Sequence, residues 1–198
     1  MDKPTSRKQA SHERIVETAA RAIRRGGFQG VGVADIMKEA GLTHGGFYAH
    51  FASRDALLAE ALTYVDKGAG SDGATAIERR IARGQAAGAS ALRALVEAYL
   101  SDSHLGAVEN GCPVAALVSE MPRQAPEVRA AAAQRVRDLV SRVERALPAG
   151  TEAGRAAAIA SQLVGALQLA RALGDNAEGR AVLAASRRAL LAQEPAVL

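Results

Sequence analysis

The sequence predicts an all-α chain of about nine helices, and three observations predict it. Alanine supplies 46 of the 198 residues, and alanine is the best helix former and a poor strand former. Apolar residues recur at helical spacing between capping residues and glycine stops. Neither strand-like alternation nor an internal repeat appears.

Residues 1–6 read as a flexible arm. Ser6 followed by Gln9 fits a capping box, so the first helix begins there. Ile15, Ala19, Ala22 and Ile23 form its apolar stripe, and Gly26-Gly27 stops it. A short helix from Val33 to Ala40 turns Val33, Ile36, Met37 and Ala40 inward. Gly41-Leu42-Thr43 is a tight turn, with Thr43 as N-cap of a helix over 44–50 (HGGFYAH). Ser53 caps a fourth helix to about Lys67, with Leu57, Leu58, Ala61, Leu62 and Val65 as its apolar face. Asp55 at its start complements the helix dipole. Gly68 to Gly73 is a loop. Helices follow near 74–83 and 89–101, then an irregular stretch over 102–112. Pro113 opens a short helix through Glu120. A long helix runs from about Pro126 to Leu147, and two more cover about 152–173 and 177–193. Residues 1–53 are expected to form an arm and a first helical domain, and 54–198 a second helical domain.

Charge is unevenly placed. Residues 1–54 carry nine Lys or Arg against five Asp or Glu, whereas the remainder is neutral. A basic module for a polyanion, joined to a neutral module for something else, gives this pattern; a merely solvated basic surface would give it too. No apolar run approaches the ~20 residues that span a bilayer. The first thirty residues lack a signal-peptide core, so the expected compartment is the cytoplasm. One cysteine, Cys112, excludes an intrachain disulfide and a multi-cysteine metal site. No metal or cofactor is expected, and no nucleotide loop or nucleophile motif supports an enzyme.

Two short helices joined by a tight glycine turn, with a longer helix on each side, make a helix-turn-helix whose second helix enters the major groove of duplex DNA. Phe47 and Phe51 face the core, which leaves Thr43, His44, Gly45, Tyr48 and His50 on or near the DNA side. Gly45 and Gly46 each cost about 1 kcal/mol in a helix relative to Ala, which implies a close backbone approach. Tyr48 can donate to a phosphate. His50 and Arg54 can reach flanking phosphates, and Lys3, Arg7 and Lys8 can add contacts from the arm.

The stretch from Gly27 to Leu62 resembles the DNA-binding domain of the tetracycline-repressor (TetR) family. The motif reads Gly41-Leu42-Thr43-His44-Gly45-Gly46-Phe47-Tyr48-Ala49-His50-Phe51-Ala52-Ser53-Arg54-Asp55-Ala56-Leu57. With the first helix, the match covers residues 9–62 and is similar above all to a subset carrying His-Gly-Gly-Phe-Tyr. One position departs. Family members usually place Ser or Thr as N-cap of the second helix, where Gly32 stands here, so anion binding at Gly32 and Val33 would fall to backbone N–H groups.

The resemblance implies a homodimeric repressor on a pseudo-palindromic operator, with half-sites about one turn or a multiple apart. It implies dimerisation through the last two long helices, here through Ile159, Leu163, Ala166, Leu167, Ala170, Leu183 and Leu190. It also implies a small-molecule effector in the second domain, with Tyr64, Val96, Tyr99, Leu100, His104, Cys112, Leu117 and Met121 as candidates. The helix from Leu57 to Val65 is the expected lever. With so few aromatics, a small apolar or weakly polar effector is expected rather than a flat cation. The alternative is a DNA binder of the same fold controlled by a protein partner or by oxidation of Cys112. Cys112 precedes a helix N-terminus, which can depress a thiol pKa. A lone buried cysteine is nevertheless more often structural, and His104 lacks a partner at metal-ligand spacing.

Overall fold

In a computed structural model, which describes residues 6–64 and 75–192, the described residues form ten α-helices and two 3₁₀ helices, without strands. Lys3 and Val65 lie outside the described residues. Helix α1 (Arg7–Gly26) starts at Ser6, whose hydroxyl accepts from the Gln9 backbone N–H. The Gln9 side chain turns to Glu13 rather than back to the cap. Helix α2 (Val33–Glu39) and the 3₁₀ helix His44–Ala49 make the helix-turn-helix, and α3 (Arg54–Thr63) braces it. The Ser53 hydroxyl caps α3 by accepting from Ala56 N–H.

Ile15, Ala19, Ile23, Phe28, Ile36, Phe47, Phe51, Leu58 and Leu62 bury into one core. Leu117, Met121, Val128 and Ala132 join that core from much later in the chain. Helix α3, assigned from sequence to the second domain, shares this core with α1 and α2 and also packs on α8 (Pro126–Ala146). The head rests on the N-terminal half of α8.

Helices α4 (Ala76–Ala86), α5 (Ala91–Tyr99), α9 (Arg155–Leu173) and α10 (Ala177–Leu191) belong to the second region. Its core is built from α5, the far half of α8, α9 and α10. The stretch over 102–112 is not wholly irregular: Asp102–Gly106 forms α6, because the Ser101 hydroxyl caps it by accepting from His104 N–H. Helix α7 is shorter than expected, Pro113–Leu117, and a second 3₁₀ turn covers Met121–Arg123.

The dimer residues expected from sequence need correction. Ile159, Leu163, Ala166, Leu167, Ala170, Leu183 and Leu190 are between 0 and 7% exposed within one chain. They are the intramolecular seam of α9 and α10, where small residues let the axes approach. The opposite side of α9 is the apolar exposed one, with Leu169 63% and Leu173 40% exposed. Helix α9 is also long and apolar enough by composition to cross a membrane, which departs from the expectation of no such run. It packs against α7, α8 and α10 on one side, and 39% of the apolar stretch is buried.

Leu163→Ala is expected to cost about 2–5 kcal/mol of folding stability through cavity formation, read by denaturant unfolding. A variant that unfolds like the wild type would show that Leu163 is not core.

Candidate nucleic-acid interface

The turn between α2 and the 3₁₀ helix is set by Gly41, whose φ of +69° suits glycine. Behind the turn, Leu42 N–H donates to Met37 C=O at 2.8 Å, and Phe47 is buried. Thr43 is N-cap by backbone only, since its side chain makes no capping bond. Thr43, His44 and Gly45 are exposed, and Tyr48 is 73% exposed.

Gly45 and Gly46 lack positive φ, and among the described residues nothing beyond the immediate chain neighbours and local helix backbone lies within 4 Å of a Cβ built on Gly45. A Cβ on Gly46 would make only ordinary contacts, 3.6 Å from Thr43 Oγ1 and 3.7 Å from Met37 Cε. Neither backbone conformation nor internal packing asks for glycine at these positions. The open space lies outside the chain.

Other expected DNA residues sit differently. The Arg54 guanidinium turns inward, donating through Nη2 to the carbonyls of Phe28 and Val31, the latter at 3.2 Å. It clasps the turn between α1 and α2, so phosphate contact is not its main duty. His50 is half-buried, with its ring 6.0 Å from that of His12. Burial lowers its pKa, and His12 and Lys8 lower it further, which disfavours the charged form that a phosphate would want. His12 itself stacks on Phe51 at 4.5 Å and meets Glu60 at 2.6 Å instead of standing in solvent. Gly32 is the N-cap of α2 without a side-chain bond, and the Asp35 carboxylate stands 3.0 Å from where its Cβ would be. That carboxylate crowds the place where the N–H groups of Gly32 and Val33 would take a phosphate. Arg7 and Lys8 are exposed on the first turn of α1.

A cavity of about 100 Å³ lies between α1 and the second region. Tyr64, Tyr99 and Cys112 line it, as expected from sequence. Val96, Leu100, Leu117 and Met121 do not: the first two pack in the second core and the last two in the head core. The sequence reading missed Arg24, Arg135, Asp138 and Arg142, which also line the cavity. A signal for Arg24 existed, since it lies one turn after buried Ala20 on the apolar stripe of α1. For the α8 residues there was none. The wall thus mixes charged side chains with the apolar ones of Ile77, Val114 and Leu139.

Arg24 is 5% exposed. Its Nη1 donates to Glu109 C=O at 2.9 Å and its Nη2 to Tyr64 C=O at 3.4 Å. The adjacent Arg25 bridges Glu39 on α2 and Glu109, each at 3.0 Å. On the other side of the segment, the Glu120 carboxylate accepts from Phe28 N–H at 3.0 Å. A Cβ on Gly27 would come 2.6 Å from that carboxylate. Residues 109–120 are thus fastened at both ends to the end of α1, and their middle lines the cavity.

His104 is not a ligand candidate in this arrangement. Its Nε2 accepts from Cys112 N–H at 3.0 Å, which leaves Nδ1 to donate to Tyr99 C=O at 2.6 Å. The ring is neutral in that tautomer, and its pKa is lowered to about 4, mainly by burial. Gly111 is closed around it, since a Cβ there would lie 2.8 Å from His104 Nε2 and 2.9 Å from Arg171 Nη2.

Comparison with known proteins agrees with this geometry. A family model described as bacterial regulatory proteins, tetR family, matches residues 15–61. A second, described as tetracyclin repressor-like C-terminal domain, matches residues 88–186. The uncharacterized HTH-type transcriptional regulator Rv0196 of Mycobacterium tuberculosis is 32% identical over 200 residues, covering 94% of this chain and 97% of that protein. The uncharacterized HTH-type regulator YerO of Bacillus subtilis is 40% identical over 52 residues, which span only 26% of this chain and 18% of YerO. Among solved structures, a TetR-family regulator from Agrobacterium tumefaciens superposes with TM-score 0.69 at 25% identity, covering 96% of this chain and all of the other. The reduced form of E. coli NemR gives TM-score 0.72 at 18% identity, covering 95% and 100%. At that identity the likeness is one of fold.

Because His104 titrates lower folded than unfolded, its contribution to stability is complete above about pH 6.5 and is lost as pH falls toward about 4. The loss should total about 3 kcal/mol. Denaturant unfolding across that window should show it, and His104→Gln should flatten the difference. An unchanged slope in the variant would assign the pH dependence elsewhere.

Proposed function

The chain belongs to the tetR family of bacterial regulatory proteins and is a helix-turn-helix DNA-binding transcriptional regulator; from that premise we propose that it is a homodimeric repressor, released from a pseudo-palindromic operator by a small molecule in the cavity beside Cys112. The observation that carries the DNA side of this reading is the bare surface around Gly45, with Thr43, His44 and Tyr48 exposed beside it. A helix packed against its own chain would have a neighbour there. The run His44 to Tyr48 assigns the chain to the His-Gly-Gly-Phe-Tyr subset. Thr43 and His44 read base edges, while the Tyr48 hydroxyl, Arg7 and Lys8 hold phosphates. The cytoplasm is its place of action.

The second copy docks on the outward side of α9. Ala158, Gly165, Leu169 and Ala172 recur there at helical spacing, and Leu173 adds to the patch. Helix α10 offers exposed Ala181 and Ala185. Small residues beside two bare leucines favour close packing of two helix pairs.

Release needs an effector that binds more tightly to the DNA-incompetent arrangement than to the competent one. The route lies through residues 109–120. Arg24, Arg25 and Glu120 fasten that segment to α1 and α2, so movement at the cavity wall moves the head. The end of α3 shares the route through Tyr64 C=O.

Tyr48→Phe is expected to weaken binding to selected and random duplexes alike by roughly two- to tenfold, the value of one hydrogen bond. His44→Ala should cost about tenfold on the selected operator and little on random DNA, measured by fluorescence anisotropy. Equal losses on both duplexes would remove His44 from base reading. Leu169→Glu should give a folded monomer in sedimentation, with helical circular dichroism unchanged. A variant that still sediments as a dimer would move the interface to another face.

A further inference from the structure

The recognition helix is poorly equipped to hold itself. It is a 3₁₀ helix of six residues, His44–Ala49, and that geometry bonds less well than an α-helix and seldom runs so long. Gly45 and Gly46 weaken it further, and Thr43 gives it no side-chain cap. Its shape in the free protein therefore comes from tertiary contacts. The N-terminal end is held by the bond from Leu42 N–H to Met37 C=O, and the middle by burial of Phe47. The C-terminal end closes through the N–H groups of His50 and Phe51, which donate to Phe47 C=O at 2.9 and 3.0 Å.

A residue of α1 stands at that last end. The His12 ring stacks on Phe51, with centroids 4.5 Å apart and planes 23° from parallel. Phe51 stacks on Phe47 at 5.6 Å, and Phe47 and Tyr48 meet edge to face at 5.2 Å. Four rings thus run in series from α1 to the exposed Tyr48. His12 is itself fixed, since its Nε2 N–H donates to the Glu60 carboxylate of α3 at 2.6 Å, a bond that also sets the plane of the ring. The His50 ring lies 6.0 Å from His12 and 6.3 Å from Phe51, in the same corner. The pair is no part of the buried core: the His12 side chain is 30% exposed and that of Glu60 45%. Ile15, Ile23, Ile36 and Leu58 fill that core without it. A partly exposed pair laid against the end of a weak helix bears on that helix rather than on the whole head.

We infer that His12 is a positioning residue for DNA binding: braced by Glu60, its ring seats Phe51 and, through Phe51, the C-terminal end of the recognition helix. This rests on the reading of Thr43, His44 and Tyr48 as the residues that meet DNA. The free protein exchanges between a seated and an unseated recognition helix, and the seated one presents those three side chains together. Apparent affinity then falls in proportion to the seated fraction. His12 acts on that fraction and makes no contact with phosphate.

The test compares the full wild-type chain with His12→Ala and His12→Phe. Amide hydrogen exchange is measured without DNA, and anisotropy on a duplex selected from random sequence, over a salt series. In His12→Ala, exchange at His50 and Phe51 should quicken and operator affinity should fall, each by about five- to tenfold, the worth of one aromatic pair. Amides from Ile15 to Ile23 should keep their wild-type protection, because the opening is local. The salt dependence should stay as it was, whereas a lost phosphate contact would lower its slope by about 0.9. His12→Phe keeps the ring and should bring both readings back to within about threefold of wild type. Unchanged exchange at His50 and Phe51, or unchanged affinity, in His12→Ala overturns the proposal. Equal quickening along α1 also overturns it, as a general loss of stability. So does a reduced salt slope, which would make His12 a phosphate contact, and so does a His12→Phe variant no better than His12→Ala. A selection that yields no bound duplex would count against the DNA reading itself, and exchange at His50 and Phe51 would still decide whether His12 seats the helix.

Discussion

Arg24 is a cation set on the apolar stripe of the longest helix in the head. Burying a charge without compensation is expensive, and a guanidinium carries five donors that must find acceptors. Arg24 finds two in backbone carbonyls, one at the end of α3 and one in the segment before Cys112. That requirement joins three parts of the molecule at one point. The head cannot settle without the segment that walls the cavity, and that segment cannot move without disturbing Arg24. Arg25 and Glu120 repeat the arrangement on either side with charge-assisted bonds. The cavity and the DNA-reading head therefore share a boundary made of polar contacts on an apolar core.

The head was legible in the sequence because its signals are local. Ser6, Gly27, Gly41 and Ser53 mark starts and stops, and the structure uses all four. The spacing of Phe47 and Phe51 placed both rings inside correctly. What local signals could not give was the direction of long side chains. Arg54 looked available for phosphate because it follows the recognition helix. It bends back instead, because the carbonyls of Phe28 and Val31 are left open by the turn after α1. His50 looked free to reach a phosphate and is partly covered by α1 through His12, a neighbour 38 positions away.

The second region was less legible, for a different reason. Helix α9 is apolar on most of its circumference, so periodicity did not separate the face toward α10 from the face toward solvent. The leucines and alanines chosen for the dimer were the tightest-packed ones, which is what a core stripe looks like. Leu169 and Leu173 break the pattern only once the positions of α8 and α10 are known. The cavity was half legible. Its two tyrosines and its cysteine stood out as rare residues, whereas the arginines of α8 were hidden among sixteen bases balanced by sixteen acids.

The neighbourhood of Cys112 argues against treating it as one isolated thiol. Its backbone N–H fixes the His104 tautomer, and His104 in turn holds the Tyr99 carbonyl, so three residues spaced over fourteen positions form one buried polar unit. Such a unit is rigid when every member is paired and unsettled when one is not. The buried Tyr99 hydroxyl adds to the unit, since it lies beside the Cys112 thiol. Cys112 lies in the same segment that Arg24 fastens to α1, so this polar unit and the end of the first helix share one support.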